Sequence, residues 1–183
     1  MITDNIIKGK SLTLRQIELS DCNESYVKWL NDTDVNQYLE TKWYEQTIET
    51  ITAFVDTQRN NMDSILFAIV ENQSGKHIGN IKIGPLHPHY HHADISYFIG
   101  EKDLWNKGYT TEAIYLICKY GFDDLKLHRI EAGAYDVAVG SWKALEKNGF
   151  KREGTFREQV YFKEKYIDIY RYGLLKDEWK EGE

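Results

Sequence analysis

Proline is scarce in this chain: Pro85 and Pro88 are the only two among 183 residues, and both fall in one short segment. No Pro/Gly/Ser-rich linker, internal repeat or low-complexity tract divides the sequence, so a single domain over residues 1–183 is expected. Cysteine is as rare. Cys22 and Cys118 stand in unrelated contexts without metal-ligand spacing. That excludes a disulfide framework and a Cys-based zinc site, and it suits two reduced packing thiols in a cytoplasmic protein. Apolar runs are no longer than that from Ile65 to Val70, too short to cross a bilayer, so no membrane partner is expected. The first residues, with Asp4, Asn5, Lys8 and Lys10, lack the apolar stretch of a secretory signal. A basic face is missing too. The 23 Lys and Arg are scattered and outnumbered by 29 Asp and Glu, leaving a net charge of −6. Nucleic acid is thereby excluded as the main partner. An acidic envelope instead steers a cationic or amine-bearing partner inwards.

What is present reads as alternating strands and helices. Leu12 to Arg15 has the pattern of a first strand, and Ser20 or Asp21 can cap a helix running to Leu30, with Glu24 placed for a capping-box contact. A polar, aromatic stretch follows from Asn31 to Gln46. Thr47 to Arg59 carries Ile48, Ile51, Phe54 and Val55 at helical spacing. Strands are expected at Ile65–Val70, at His77–Ile83 and, after a loop containing both prolines, at Asp94–Ile99. A long apolar helix from Ala113 to about Phe122 comes next, then a strand over Arg129–Tyr135. A short helix over Val139–Lys147 is stopped by Asn148-Gly149. Thr155–Phe162 and Tyr166–Leu174 close the chain as a hairpin. The order β-α-α-β-β-β-α-β-α-β-β predicts a mixed α/β domain whose sheet cannot be all parallel.

The most informative stretch is Leu104-Trp105-Asn106-Lys107-Gly108-Tyr109-Thr110-Thr111-Glu112-Ala113, between the Asp94–Ile99 strand and the long helix. A strand, a glycine-bearing turn and a helix start gather several main-chain N–H groups around one point, at the positive end of the helix dipole. Such a geometry binds phosphate. It is neither the dinucleotide fingerprint, which needs three glycines in G-x-G-x-x-G spacing, nor a P-loop, which ends in G-K-[ST]. A second cluster, His87, His89, His91 and His92, has alternate spacing. The neighbouring prolines favour an irregular loop over the ligand geometry of a metal site, and no metal is expected.

In this order of elements, three motifs resemble those of the GNAT superfamily of acetyl-coenzyme A-dependent N-acetyltransferases, most closely its ribosomal-protein (RimJ/RimL-like) branch. They are Asp94-Ile95-Ser96-Tyr97-Phe98-Ile99 running into Trp105 to Ala113, then Leu127-His128-Arg129-Ile130-Glu131-Ala132, and lastly Ser141 with Leu145-Glu146-Lys147-Asn148-Gly149-Phe150, Glu153-Gly154 and Asp168. The resemblance spans about Leu12 to Leu175. It implies the GNAT-type acyl-CoA N-acyltransferase fold and direct attack of an amine on the thioester of acetyl-CoA. It also implies a pyrophosphate site at Asn106, Lys107, Gly108, Tyr109, Thr110 and Thr111, with main-chain groups near Phe98 and Ile99 contacting the thioester.

By the same resemblance, Asp94 is the candidate base acting through water, with a solvent-facing strand carboxylate as the alternative. Ser141 is the candidate hydroxyl beside the departing thiol, or else a helix cap. Glu112 reads as a helix-start carboxylate and Asp168 as a hairpin contact. The segment from Asn36 to Gln46 lines the acceptor site of this fold, where Tyr38, Glu40, Trp43 and Tyr44 offer an aromatic, acidic wall. Core packing or a dimer contact accounts for the same aromatics. Many members of the family dimerise, so a homodimer is expected by analogy. The sequence departs from the family at three points. Trp105 and Thr110 replace the outer residues of the pyrophosphate loop, Ala138 stands where an Asn is common, and Leu145 replaces a proton-donating tyrosine. These departures admit a second expectation, a catalytically silent module that binds coenzyme A as a sensor or structural partner.

Overall fold

The computed structural model describes residues 6–180. Strands β1 (Ile7–Lys8) and β2 (Leu12–Gln16) precede helices α1 (Glu24–Asn31), α2 (Thr33–Asn36) and α3 (Ile48–Asn60). Then come β3 (Ile65–Glu71), β4 (His77–His87), β5 (His92–Ile99), α4 (Tyr109–Asp123) and β6 (Arg129–Tyr135). Helix α5 (Val139–Lys147) and the hairpin β7 (Lys151–Phe162) and β8 (Lys165–Leu175) complete the order. The expected mixed α/β class holds, with a two-residue strand and a four-residue helix added to the expected order.

All eight strands form one sheet in the order β1-β2-β3-β4-β5-β6-β8-β7. Every pairing is antiparallel except β5 with β6, which is parallel. That exception has a structural cause: β5 and β6 are joined by a crossover through α4, whereas the other paired neighbours do not need a helix between them. On one face Leu12, Leu14, Phe67, Ile81 and Ile95 pack under α4 and α5, burying Ile114, Ile117, Cys118 and Leu145. On the other face Leu66 and Ala68 lie against Tyr26, Trp29, Ile51 and Val55 of α1 and α3. Successive side chains of a strand point to opposite faces, so a strand covered on both reads as the continuous apolar run of β3.

Two boundaries differ from the sequence reading. Helix α1 is capped not by Ser20 or Asp21 but by Asn23, whose side chain accepts from the N–H groups of Ser25 and Tyr26. Asp21 is used elsewhere. It is buried in a 3-10 turn (Leu19–Asp21), accepts from both terminal nitrogens of Arg15 at 2.7 and 2.6 Å, and makes a capping box with Glu18. Glu24 is therefore the first helical residue rather than a capping-box partner. The expected loop around the prolines is shorter than foreseen: β4 runs through Pro85 with a register shift after Ile83 and ends with His87 paired to His92, which leaves Pro88 in the turn over residues 88–91. Those two imidazoles stack at 4.3 Å, and among the described residues no group of three or more His, Cys, Asp or Glu is placed to hold a metal.

Candidate active site

The feature that organises the site is a parting of two strands. Strands β5 and β6 pair from His92↔Arg129 to Ile95↔Ala132 and no further, while β6 continues beside β8 to Tyr135↔Ile169 and β5 beside β4 to Ile99↔Gly79. Past Ile95 and Ala132, main-chain groups that a continuous sheet would pair face a wedge-shaped gap. Phe98 and Ile99 both lie beyond that point. The Phe98 ring turns away to pack beside Tyr26 and Trp29, and the Ile99 carbonyl accepts from the Trp105 indole N–H at 2.9 Å. Trp105, the first departure from the family loop, thus ties the loop to the end of β5.

Next in the chain a 3-10 turn, Lys102–Leu104, leads into α4. Asn106 and Gly108 both take the left-handed conformation, at φ 61° and 88°. Only glycine does so without a steric penalty, and a Cβ on Gly108 would meet no heavy atom within 4 Å, so the space over it is open. The main-chain N–H groups of Asn106, Lys107, Gly108, Tyr109, Thr110 and Thr111 have no acceptor among the described residues, while that of Glu112 bonds the Gly108 carbonyl. Six unbonded N–H groups thus lie at the positive end of a fifteen-residue helix, a place at which helices can hold an anion. Glu112 itself does no such work. Its carboxylate accepts from the N–H groups of Ser11 and Leu12 at 2.7 and 3.1 Å and pins β2 to α4.

Asp94 and Ser141 sit on different sides of β5. Asp94 belongs to the face away from α4, next to Glu131 on β6. Arg171 of β8 reaches both carboxylates, at 3.1 and 3.4 Å, across Gly133, where a Cβ would stand only 2.9 Å from that guanidinium. Burial raises the Asp94 carboxyl above the usual carboxylate range and outweighs the opposing pull of Arg171. Ser141 lies in the first turn of α5 and touches the other face. Its hydroxyl is 3.0 Å from the hydroxyl of Tyr97. Sequence reasoning did not single out Tyr97, although a phenol at an inward position of β5 was the signal. Leu145, where the family's acid would stand, is fully buried in the core, and Ala138 caps α5 with no side-chain bond.

The acceptor-wall residues converge only in part. Glu40 accepts from the Tyr135 hydroxyl at 3.0 Å and from the Trp43 indole N–H at 3.2 Å. Burial together with Glu40 pushes the Tyr135 phenol up to about 12. Tyr38 packs against Tyr135 and Phe162, at 5.9 and 5.6 Å between ring centres. Tyr44, 76% exposed, lies outside this ring cluster and lines the adjoining groove with Trp43. Within this group the Lys42 ammonium lies 4.9, 5.2 and 5.6 Å from the rings of Trp43, Tyr135 and Phe162. A groove of about 470 Å³ beside it is lined by residues that include Gln37, Lys42, Trp43, Tyr44, Phe162 and Lys163. The strand residues Tyr135 and Phe162 were not foreseen, because they meet the wall only through the fold.

Comparison with known proteins agrees with this geometry. The family model described as acetyltransferase (GNAT) domain matches residues 11–151. The uncharacterized N-acetyltransferase p20 of Bacillus licheniformis is 30% identical over 180 residues, 92% of this chain and 94% of that one. The crystal structure of a GNAT-family acetyltransferase from Bacillus anthracis superposes with a TM-score of 0.81 at 29% identity, covering 95% of this chain and 100% of that one. A spermidine N-acetyltransferase from Vibrio cholerae, crystallised with CoA and spermine, has a TM-score of 0.83 at 20% identity over 92% and 97% of the two chains, a likeness of fold alone.

Proposed function

Because this chain belongs to the GNAT acetyltransferase domain family, and is an N-acetyltransferase enzyme as its relatives are named, we propose that it moves the acetyl group of acetyl-CoA to a primary amine by direct attack. The observation that carries the proposal is the row of six unbonded main-chain N–H groups from Asn106 to Thr111, beside the gap between β5 and β6. They suit the diphosphate of coenzyme A, and the gap suits its extended arm, which delivers an activated thioester.

The chain's own residues then have three tasks. An ammonium acceptor must lose a proton, and Asp94 takes it through water. Its environment holds its affinity for protons above that of an exposed carboxylate, which suits a base better than a fully stabilised anion would. Main-chain N–H groups past the parting of the strands stabilise the oxyanion formed when nitrogen adds to the carbonyl. As the C–S bond breaks, the electron pair leaves on sulfur, and the Ser141 hydroxyl donates a hydrogen bond to it. The acceptor binds at the wall of Tyr38, Glu40, Trp43 and Tyr44. Trp43 of that wall, together with Tyr135 and Phe162, already holds the Lys42 ammonium against its ring, and this affinity of the cluster for a cation supports a cationic acceptor.

The test is free-thiol release from acetyl-CoA with a panel of amino sugars, polyamines, aminoglycosides and N-terminal peptides. The proposal expects saturable release with at least one class. Saturable coenzyme A binding without release by any of them would instead favour the silent coenzyme A-binding module, which the hydrophobic Leu145 and Ala138 otherwise recommend.

A further inference from the structure

The Tyr97–Ser141 contact joins two elements on opposite sides of the parted strands. Tyr97 lies on β5 beyond the last β5–β6 pair, and Ser141 opens α5, which follows β6. Their hydroxyls are 3.0 Å apart, and the Tyr97 hydroxyl is 3.3 Å from the Ser141 carbonyl. No other hydroxyl is recorded bonding to Ser141 among the described residues, and Leu145 supplies none. A phenol and a serine hydroxyl at this distance share one proton between them. Which oxygen donates decides whether the serine proton is free for a third group.

We propose that Tyr97 is a positioning residue that donates its proton to Ser141 Oγ and so turns the Ser141 hydroxyl proton towards the departing sulfur of the thioester. The inference rests on the acetyl-transfer reading above and adds to it the device that replaces the missing helix tyrosine. Tyr97 is suited to the part. Burial raises its phenol far above the usual range, with the Ser141 bond opposing, so it remains a neutral donor throughout the working pH range rather than a proton source. Donation into Oγ also strengthens the bond that Ser141 gives, since hydrogen bonds in a chain polarise one another. No proton leaves either residue for good. The ammonium first gives one proton to Asp94 through water; the C–N bond then forms, the C–S bond breaks with its electron pair on sulfur, the nitrogen sheds its second proton to solvent, and solvent protonates the thiolate.

The test is single-turnover thiol release by wild type, Tyr97→Phe, Ser141→Ala and the double variant, with an amine found active in the panel. A hydrogen bond to a charged group accounts for about 10- to 100-fold in rate, the loss expected for Ser141→Ala. Tyr97→Phe is expected to lose about 10-fold through the same bond, with KM for acetyl-CoA unchanged. The double variant should match Ser141→Ala, because Tyr97 acts only through Ser141. Thermal melting of each variant shows whether a slow one is simply unfolded, and Ser141→Thr, which keeps the hydroxyl, should retain most of the rate. Wild-type speed in folded Tyr97→Phe, or losses that multiply in the double variant, would overturn the positioning role while leaving acetyl transfer intact. A wild type that turns over no amine would remove the parent reading instead.

Discussion

Gly108 gives the sharpest perturbation. Its φ of 88° forces any L-residue into the left-handed region, while a Cβ there would touch nothing. The cost to the fold of Gly108→Ala is therefore backbone strain alone, about 1 kcal/mol, or about 3 °C in Tm for a chain of this size. Gly149 provides a matched control: its φ is 86°, and a Cβ there meets only Leu174 at an ordinary 3.6 Å. Gly149→Ala should lose a similar amount of stability. Gly108→Glu adds a carboxylate where the diphosphate is to sit. Two unit charges at 4 Å repel by about 4 kcal/mol at an effective dielectric of 20, so coenzyme A affinity should fall by more than about 100-fold. Isothermal titration with coenzyme A, beside a melting curve for each variant, reads both quantities. Folded Gly108→Glu that binds coenzyme A like the wild type would refute the reasoning, and so would an equal loss of affinity in Gly149→Ala.

Asp94→Asn should lower kcat/KM by about 10²- to 10⁴-fold with a general base removed. Burial raises the Asp94 carboxyl, so the acid limb of the wild-type pH profile should lie above the ordinary carboxylate range and vanish in the variant. Leu145→Ala should cost about 2–5 kcal/mol in denaturant unfolding, as a fully buried core residue, with little effect on kcat in the folded fraction. Asp21→Asn should cost about 1.5–3 kcal/mol at neutral pH by chemical denaturation. Burial alone would raise the Asp21 carboxyl, but Arg15 and the Glu18 N–H together outweigh it and hold it below the usual value. The stability it contributes is present above the unfolded carboxylate pKa and lost as pH falls through the folded one, so the variant should show a flatter acid limb of stability.

The sequence was most legible where local chemistry decides structure. Strand Arg129–Tyr135 and helix Val139–Lys147 fall where periodicity places them, with Asn148 and Gly149 ending the helix through bonds to Leu145 and Glu146. The turn into α4 was legible for the same reason: a left-handed glycine at a helix start is a local, main-chain device. Asp21 misled because its side chain serves Arg15 rather than the nearest helix. Pro85 misled because β4 absorbs it at a register shift and continues to His87, whereas Pro88 does lie in the turn that follows. Partnerships between distant side chains could not be read. Tyr97 and Ser141 are 44 residues apart, and Glu40 and Tyr135 are 95 apart, and each pair meets only once the strands part and the acceptor segment folds over β6.

The central claim is that the main-chain N–H groups from Asn106 to Thr111 hold coenzyme A. An amide-resolved ¹⁵N–¹H NMR titration of the full chain with coenzyme A tests it directly. The account predicts that these six amides, Gly108 among them, move most and saturate together at the stoichiometry of one bound ligand. Saturable binding that leaves all six signals in place would contradict it.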